Sequence, residues 1–305
     1  MNTTRLLFLL GLGCSLLVAG VAGTTRPGPV LRSEQATLAR SFEMKAADQY
    51  WAGDPGRAME LYRNVLGQWH ALDDVHGIVR CRTAILSLLR ETGNRADQTE
   101  WLRQTREIWA AYQATSGAAG VPPSVEQWRS EALLDHSILV WALESLPPDL
   151  AAAESALREM RGATARLPAD EQRRWQIALR NLEARIRLAQ GDTTAAARLL
   201  QAPLPTYAEL GEDREAVRET AQCWYLAAQL VSGPDRWRDA VRRYETALEG
   251  FRCVGQARWI QTCLERMTDV CRRGGQPALA QQFQLRQDAQ RRSLDPAPAG
   301  NVAAK

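Results

Sequence analysis

Lysine is nearly missing from this chain. Its 38 basic residues are all arginine apart from Lys45 and Lys305. An arginine bias of this kind reads first as composition and second as a means of recognising acidic surfaces. Histidine is scarce too, at three residues: His70, His76 and His136. No H-E-x-x-H, Walker loop, G-x-S-x-G or G-x-G-x-x-G occurs, so the common hydrolytic, nucleotide-binding and metalloprotease chemistries have no foothold. Asp135-His136-Ser137 contains triad residue types, yet consecutive helix residues point in different directions and cannot form a relay. No catalytic centre is legible, and no cofactor or metal is expected. A large charge excess is also lacking. The formal charge is +3, too balanced to indicate nucleic-acid binding. Alternating β-branched runs are absent, which argues against sheets.

The six cysteines are Cys14, Cys81, Cys223, Cys253, Cys263 and Cys271. No pair has zinc-ligand spacing, and Cys263 and Cys271, eight apart, would lie about 12 Å from each other on one helix, too far to bridge. Small buried hydrophobes are the expected role of the last five.

What is present begins with an apolar run from Leu6 to Gly23 behind Arg5, ending in small residues. Three readings fit residues 1–23: a cleaved signal peptide, an uncleaved anchor at the lower edge of a membrane span, and lipid attachment at Cys14. All three place the rest of the chain outside the cytoplasm, in a periplasmic or envelope-associated setting. Residues 24–34 read as a linker and 293–305 as a disordered tail.

From Gln35 to Arg292 apolar residues recur at three and four, the period of amphipathic helices. Breaks at Gly53-Asp54, Gly93-Asn94, Pro122-Pro123, Pro147-Pro148, Gly191-Asp192, Gly233-Pro234 and Gly274-Gly275 separate them. Helices joined by such short breaks pack antiparallel. The pattern also repeats. Ala58, Tyr62, Val65, Leu66 and Trp69 have the same offsets as Ala240, Tyr244, Ala247, Leu248 and Phe251, a shift of 182 residues. Shifts of 44 and 40 relate Ala196 to Ala240 and Ala240 to Ala280. An internal repeat of roughly 40 residues follows. Ser116–Ser124 is its weakest stretch, a candidate hinge, with Ser124 placed to cap the next helix.

Small residues stand where helices of a pair must cross: Ala184 and Ala228 on first helices, and Ala58, Ala196 and Ala240 on second helices. With Trp224, Trp237, Tyr244 and Tyr62 around them, the chain resembles the tetratricopeptide repeat family. The match is clearest in repeat five, followed by repeats four and one. Repeats two, three and six are degenerate, with Gln98 at the crossing position of repeat two and Trp141 replacing a small residue in repeat three. The resemblance implies an all-α α-solenoid, a right-handed superhelix of about six antiparallel helix pairs. Residues beyond the family's usual 34, around Trp69–Asp74, Tyr207–Asp213 and Phe251–Gln256, imply longer helices.

In that family the first helices line a concave face. By alignment this face holds Arg80, Thr83, Ser87 and Arg90 in repeat two, Asn181 and Arg185 in repeat four, Gln222, Tyr225 and Gln229 in repeat five, and Glu265, Asp269 and Arg272 in repeat six. The resemblance therefore implies a non-catalytic scaffold that binds a protein or peptide partner by hydrogen bonds to an extended backbone or a carboxylate. A structural subunit or lipoprotein accessory of an outer-membrane or secretion assembly is the alternative. An enzyme is the least favoured reading.

Overall fold

The computed structural model describes residues 29–294. Residues 1–28, which include the apolar stretch expected to be a leader and Cys14, and residues 295–305 lie outside the described residues. Among those described there are thirteen α-helices, one short 3-10 turn and no strand. They form six antiparallel pairs: α1 (Pro29–Trp51) with α2 (Pro55–Leu72), α3 (Val75–Glu91) with α4 (Arg95–Ala118), and α5 (Val125–Leu143) with α6 (Leu150–Thr164). The series continues with α7 (Ala169–Ala189) and α8 (Thr193–Gln201) followed by the one-turn α9 (Tyr207–Leu210), then α10 (Arg214–Leu230) with α11 (Trp237–Cys253), and α12 (Ala257–Arg273) with α13 (Pro277–Leu294). Consecutive helices pack on one another along the chain, the layout of an all-α solenoid. No described helix is long and apolar enough to cross a membrane.

The turns explain the helix starts. Asp54, Asp74, Asn94, Asp149, Asp192 and Asp213 are N-caps whose side chains accept from the backbone N–H three residues on. Each such cap contributes about 1 kcal/mol. Ser124 caps α5 in the same way, accepting from the Gln127 N–H at 3.2 Å. The hinge stretch is shorter than its composition implied, because Ser116, Gly117 and Ala118 continue α4. Residues 29–34 of the expected linker belong to α1, whose first described residue is Pro29, a position where proline's missing N–H costs nothing because the first turn has no partner for it.

The crossing alanines Ala58, Ala184, Ala196, Ala228 and Ala240 are all fully buried, so a larger side chain there would push helices apart. In repeat three that role falls to Ala142, which is fully buried, whereas Trp141 is half-buried and its indole N–H reaches Thr99 Oγ1 at 3.3 Å. Another exchange of volumes relates repeats one and five. Fully buried Trp69 lies over Gly77, while at the equivalent positions Phe251 stacks on Trp259 with ring centroids 5.1 Å apart. A large ring facing glycine in one repeat is replaced by two medium-to-large rings in the other, and the helices start at the same offset in both.

One second helix departs from expectation. α8 ends at Gln201, and the chain runs extended through Ala202 before α9. Pro203 and Pro205 are the cause, since proline removes a helical N–H and drives the preceding residue out of the α region. Tyr207 nevertheless reaches the neighbouring repeat. Its ring fills the space over Gly250 and its hydroxyl donates to the Thr246 carbonyl at 2.8 Å.

The two ends of the array meet. Tyr50 Oη on α1 is 3.2 Å from Gln256 Nε2, and Arg258 Nη1 donates to the Glu91 carbonyl at 3.5 Å. Arg214 faces Asp48 at 3.6 Å, and the Arg218 guanidinium lies 5.8 Å from the Trp51 ring centroid. Gly255, at φ +70, sits so close to the Trp51 carbonyl that a Cβ would fall 2.7 Å from it. Helix α1 therefore closes the inner face against repeats five and six.

Candidate binding recess

First helices stack on first helices: α3 packs on α5, and α7 on α10. Their inward faces, with the end of α1 and the start of α12, line two adjoining recesses. One, of about 360 Å³, lies among Glu43, Arg80, Ser87, His136, Trp175 and Arg218. The other, of about 350 Å³, lies among Arg90, Asn181, Arg185, Tyr225, Arg258 and Trp259. A wall joins them, because Asn181 Nδ2 donates to both Glu219 Oε2 and Gln222 Oε1 at 2.6 Å.

The first recess is a set of ion pairs, with Arg218 Nε left without a hydrogen-bond partner. Arg80 meets Glu43 at 3.1 Å, Arg174 meets Asp213 at 2.6 Å, and Arg218 meets Glu215 at 2.5 Å and Glu219 at 3.2 Å. Burial opposes ionisation of Glu219, but Arg218, His136 and the Asn181 amide outweigh it and hold the carboxyl below its usual range. Burial pushes His136 down to about 4, with Glu219 pulling the other way, so the ring is neutral at pH 7. Glu215 is raised by burial against the pull of Arg218, although its side chain still meets water. Water contact within a surround of protein is what a side chain lining an internal recess experiences.

The second recess is less well paired. Arg185 reaches only Glu144, at 3.5 Å. Burial lowers its pKa, Arg90 adds repulsion and Glu144 offsets part of both. The Glu91 carboxylate accepts from Tyr50 Oη at 2.6 Å, and burial raises that phenol to about 12. Asn181, fully buried, keeps an unpartnered Oδ1.

Eight of the twelve residues expected on the concave face come together here: Arg80, Thr83 and Ser87 in the first recess, and Arg90, Asn181, Arg185, Gln222 and Tyr225 in the second. Thr83 spends its hydroxyl on the Arg80 carbonyl and Ser87 on the Thr83 carbonyl. The other four line neither recess. Gln229 only donates to Tyr225 Oη, and Glu265 ties α12 to α13 by accepting from Gln287 and Arg291. Asp269 and Arg272 form an exposed pair at 3.9 Å. Sequence reasoning missed His136, Trp175, Glu43 and Trp259, and also Gln256 and Arg258, whose contacts with Tyr50 and Glu91 exist only because the array closes.

His136 and Asp135 diverge as helix geometry requires. Asp135 is buried toward Glu131 and Glu159, away from the recess, with its Oδ2 unpartnered. The five cysteines among the described residues are free, and all but Cys253 are buried. The described residues hold no group of three or more metal-ligating side chains. A wider groove of about 1090 Å³ runs between α1, the α2–α3 turn and α4. Its polar groups bond to the protein itself: Tyr112 Oη to His76 Nε2 at 3.2 Å, and His76 Nδ1 to Ser130 Oγ at 3.0 Å. It is the weaker candidate for that reason. No protein-family model and no curated protein matches the chain.

Proposed function

We propose that the protein is a non-catalytic scaffold that binds a protein or peptide segment at the inner face of its solenoid. The observation that carries this reading is the convergence of Arg90, Asn181, Arg185, Gln222 and Tyr225, from three different repeats, on one recess. Such a mixture of fixed donors and acceptors flanked by Trp259 and Leu226 suits a backbone or polar side chains presented by a partner. Six pairs built on buried crossing alanines support membership of the tetratricopeptide repeat family. The apolar stretch Leu6–Gly23 supports an envelope location.

The test is capture of partners from envelope extract on the purified chain, quantified by mass spectrometry. Arg185→Gln and Arg185→Glu are expected to lower recovery, while Arg272→Glu, which lies off the recess, leaves it unchanged. Equal recovery with all three variants, each with the parent's helical circular dichroism, would refute the inner face as the binding surface.

A further inference from the structure

The two recesses differ in how their arginines are neutralised, and that difference points to a ligand. In the first, Arg80, Arg174 and Arg218 each have a carboxylate within 3.1 Å. In the second, the Arg90 guanidinium makes neither a hydrogen bond nor an ion pair within 4 Å among the described residues and feels Glu215 only through a longer-range attraction. Arg185 and Arg258 each have one contact, at 3.5 Å. The residues lining this recess include three arginines and two glutamates, Glu91 and Glu144, a balance of 3 − 2 = +1. Of the two carboxylates, Glu91 is already engaged by Tyr50. Three under-used guanidinium groups from three repeats thus border one volume of about 350 Å³.

Like charges in a partly enclosed site repel unless an anion joins them. Guanidinium groups supply forked donors matched to carboxylate and phosphate oxygens. The fully buried Asn181 contributes an acceptor, Oδ1, with no partner. Its amide N is fixed by the Glu219 carboxylate, which can only accept, so the orphan is the oxygen. A ligand offering an oxyanion and a neighbouring N–H or O–H would satisfy both features.

We propose that the recess bordered by Arg90, Arg185 and Arg258 is a binding site for a small oxyanion, a phosphate or carboxylate group carrying an adjacent hydrogen-bond donor. The site rests on the reading of the inner face as the binding surface, and it is incomplete without the closure, since Arg258 arrives from α12. Access is limited to a small molecule or the end or side chain of a peptide, because α1 seals the face at Tyr50 and Trp51.

The experiment is calorimetric titration of the full chain with inorganic phosphate, citrate and acetate at constant ionic strength, with parallel thermal melts. Phosphate or citrate is expected to bind and raise the melting temperature, and which of them does so identifies the source of the oxyanion. Arg90→Gln is expected to weaken binding roughly 10–100-fold, the loss of one charge-assisted hydrogen bond. Its melting temperature without ligand is expected to be unchanged or higher, because a repulsion with Arg185 is removed. Arg258→Gln should weaken binding as well, whereas Arg80→Gln, in the paired recess, should leave it within about twofold of the parent.

The proposal is overturned if none of the three anions binds the parent chain. It is equally overturned if Arg90→Gln and Arg258→Gln bind as tightly as the parent. Anion binding abolished by Arg90→Gln while partner capture persists in Arg185→Gln and Arg185→Glu would uphold this site and refute the broader scaffold reading at this face. The opposite pattern would do the reverse.

Discussion

Replacing Asp135 by asparagine is expected to stabilise the protein, and by more at higher pH. Asp135 is 4% exposed, its Oδ2 has no partner, and burial together with Glu159 on α6 and Glu131 on its own helix raises its pKa from 3.8 to about 8. A carboxyl raised in the fold keeps a proton that the unfolded chain has released. The folded state is therefore undisturbed below the unfolded value and loses stability as pH climbs toward about 8. At 1.36 kcal/mol per pH unit, the cost is about 2 kcal/mol at pH 5.5 and about 5 kcal/mol at pH 7.5. Asparagine has the same shape and never ionises, and its amide can donate toward the neighbouring carboxylates. An imperfect fit would subtract equally at both pH values, so the gain at pH 7.5 should exceed that at pH 5.5 by about 2–3 kcal/mol, or roughly 4–12 °C in melting temperature. Thermal unfolding followed by circular dichroism, parent and variant side by side at both pH values, reads this directly. Comparing the pair cancels the opposite trend from His136, whose lowered pKa makes stability rise with pH between about 4 and its unfolded value of 6.5. A variant that is destabilised equally at both pH values would refute a buried, protonated Asp135.

Three further outcomes follow from packing and closure. Gly77→Ala would place a Cβ 2.3 Å from the Trp69 ring, and denaturant unfolding should show a loss of about 1–3 kcal/mol from overpacking; a loss below 0.5 kcal/mol would contradict the packing of Trp69. Gly250→Ala makes a similar clash with Tyr207 at 2.5 Å, and Tyr207→Ala in the same chain should recover part of the loss, a coupling measured by a double-mutant cycle. Gln256→Ala removes the contact with Tyr50 Oη, and hydrogen exchange by mass spectrometry should show faster exchange in the C-terminal half of α1 with little change in α5 and α6.

Helix class, pair number and the crossing alanines were legible in the sequence because they rest on local periodicity and on side-chain size. The Gly-Asp turns carry their own mechanism, a left-handed glycine followed by a capping carboxylate, as at Gly53-Asp54 and Gly191-Asp192. Eight of the residues placed on the inner face by alignment do line the recesses. Repeat three was the blind spot. Trp141 reads as replacing a small residue there, whereas Ala142, one residue on, is the fully buried small one, and His136 reads only as part of a non-functional triad sequence, not as a residue of the inner face. Arg258 and Gln256 were out of reach for a different reason. They join the site through contacts with residues 167 to 206 positions away, and no local period encodes closure. Glu265 and Arg272 line neither recess, because the side chains of α12 at those positions engage α13 or solvent.

The central claim is that the inner face meets the partner and the outer face does not. Photo-crosslinking tests it most directly, with benzoylphenylalanine placed at Ser87, in the recess, or at Arg106, exposed on outer helix α4. Incubation with envelope extract should give a discrete partner adduct from position 87 that is lost in an Arg185→Gln background, and none from position 106. An adduct from position 106 alone would contradict the account.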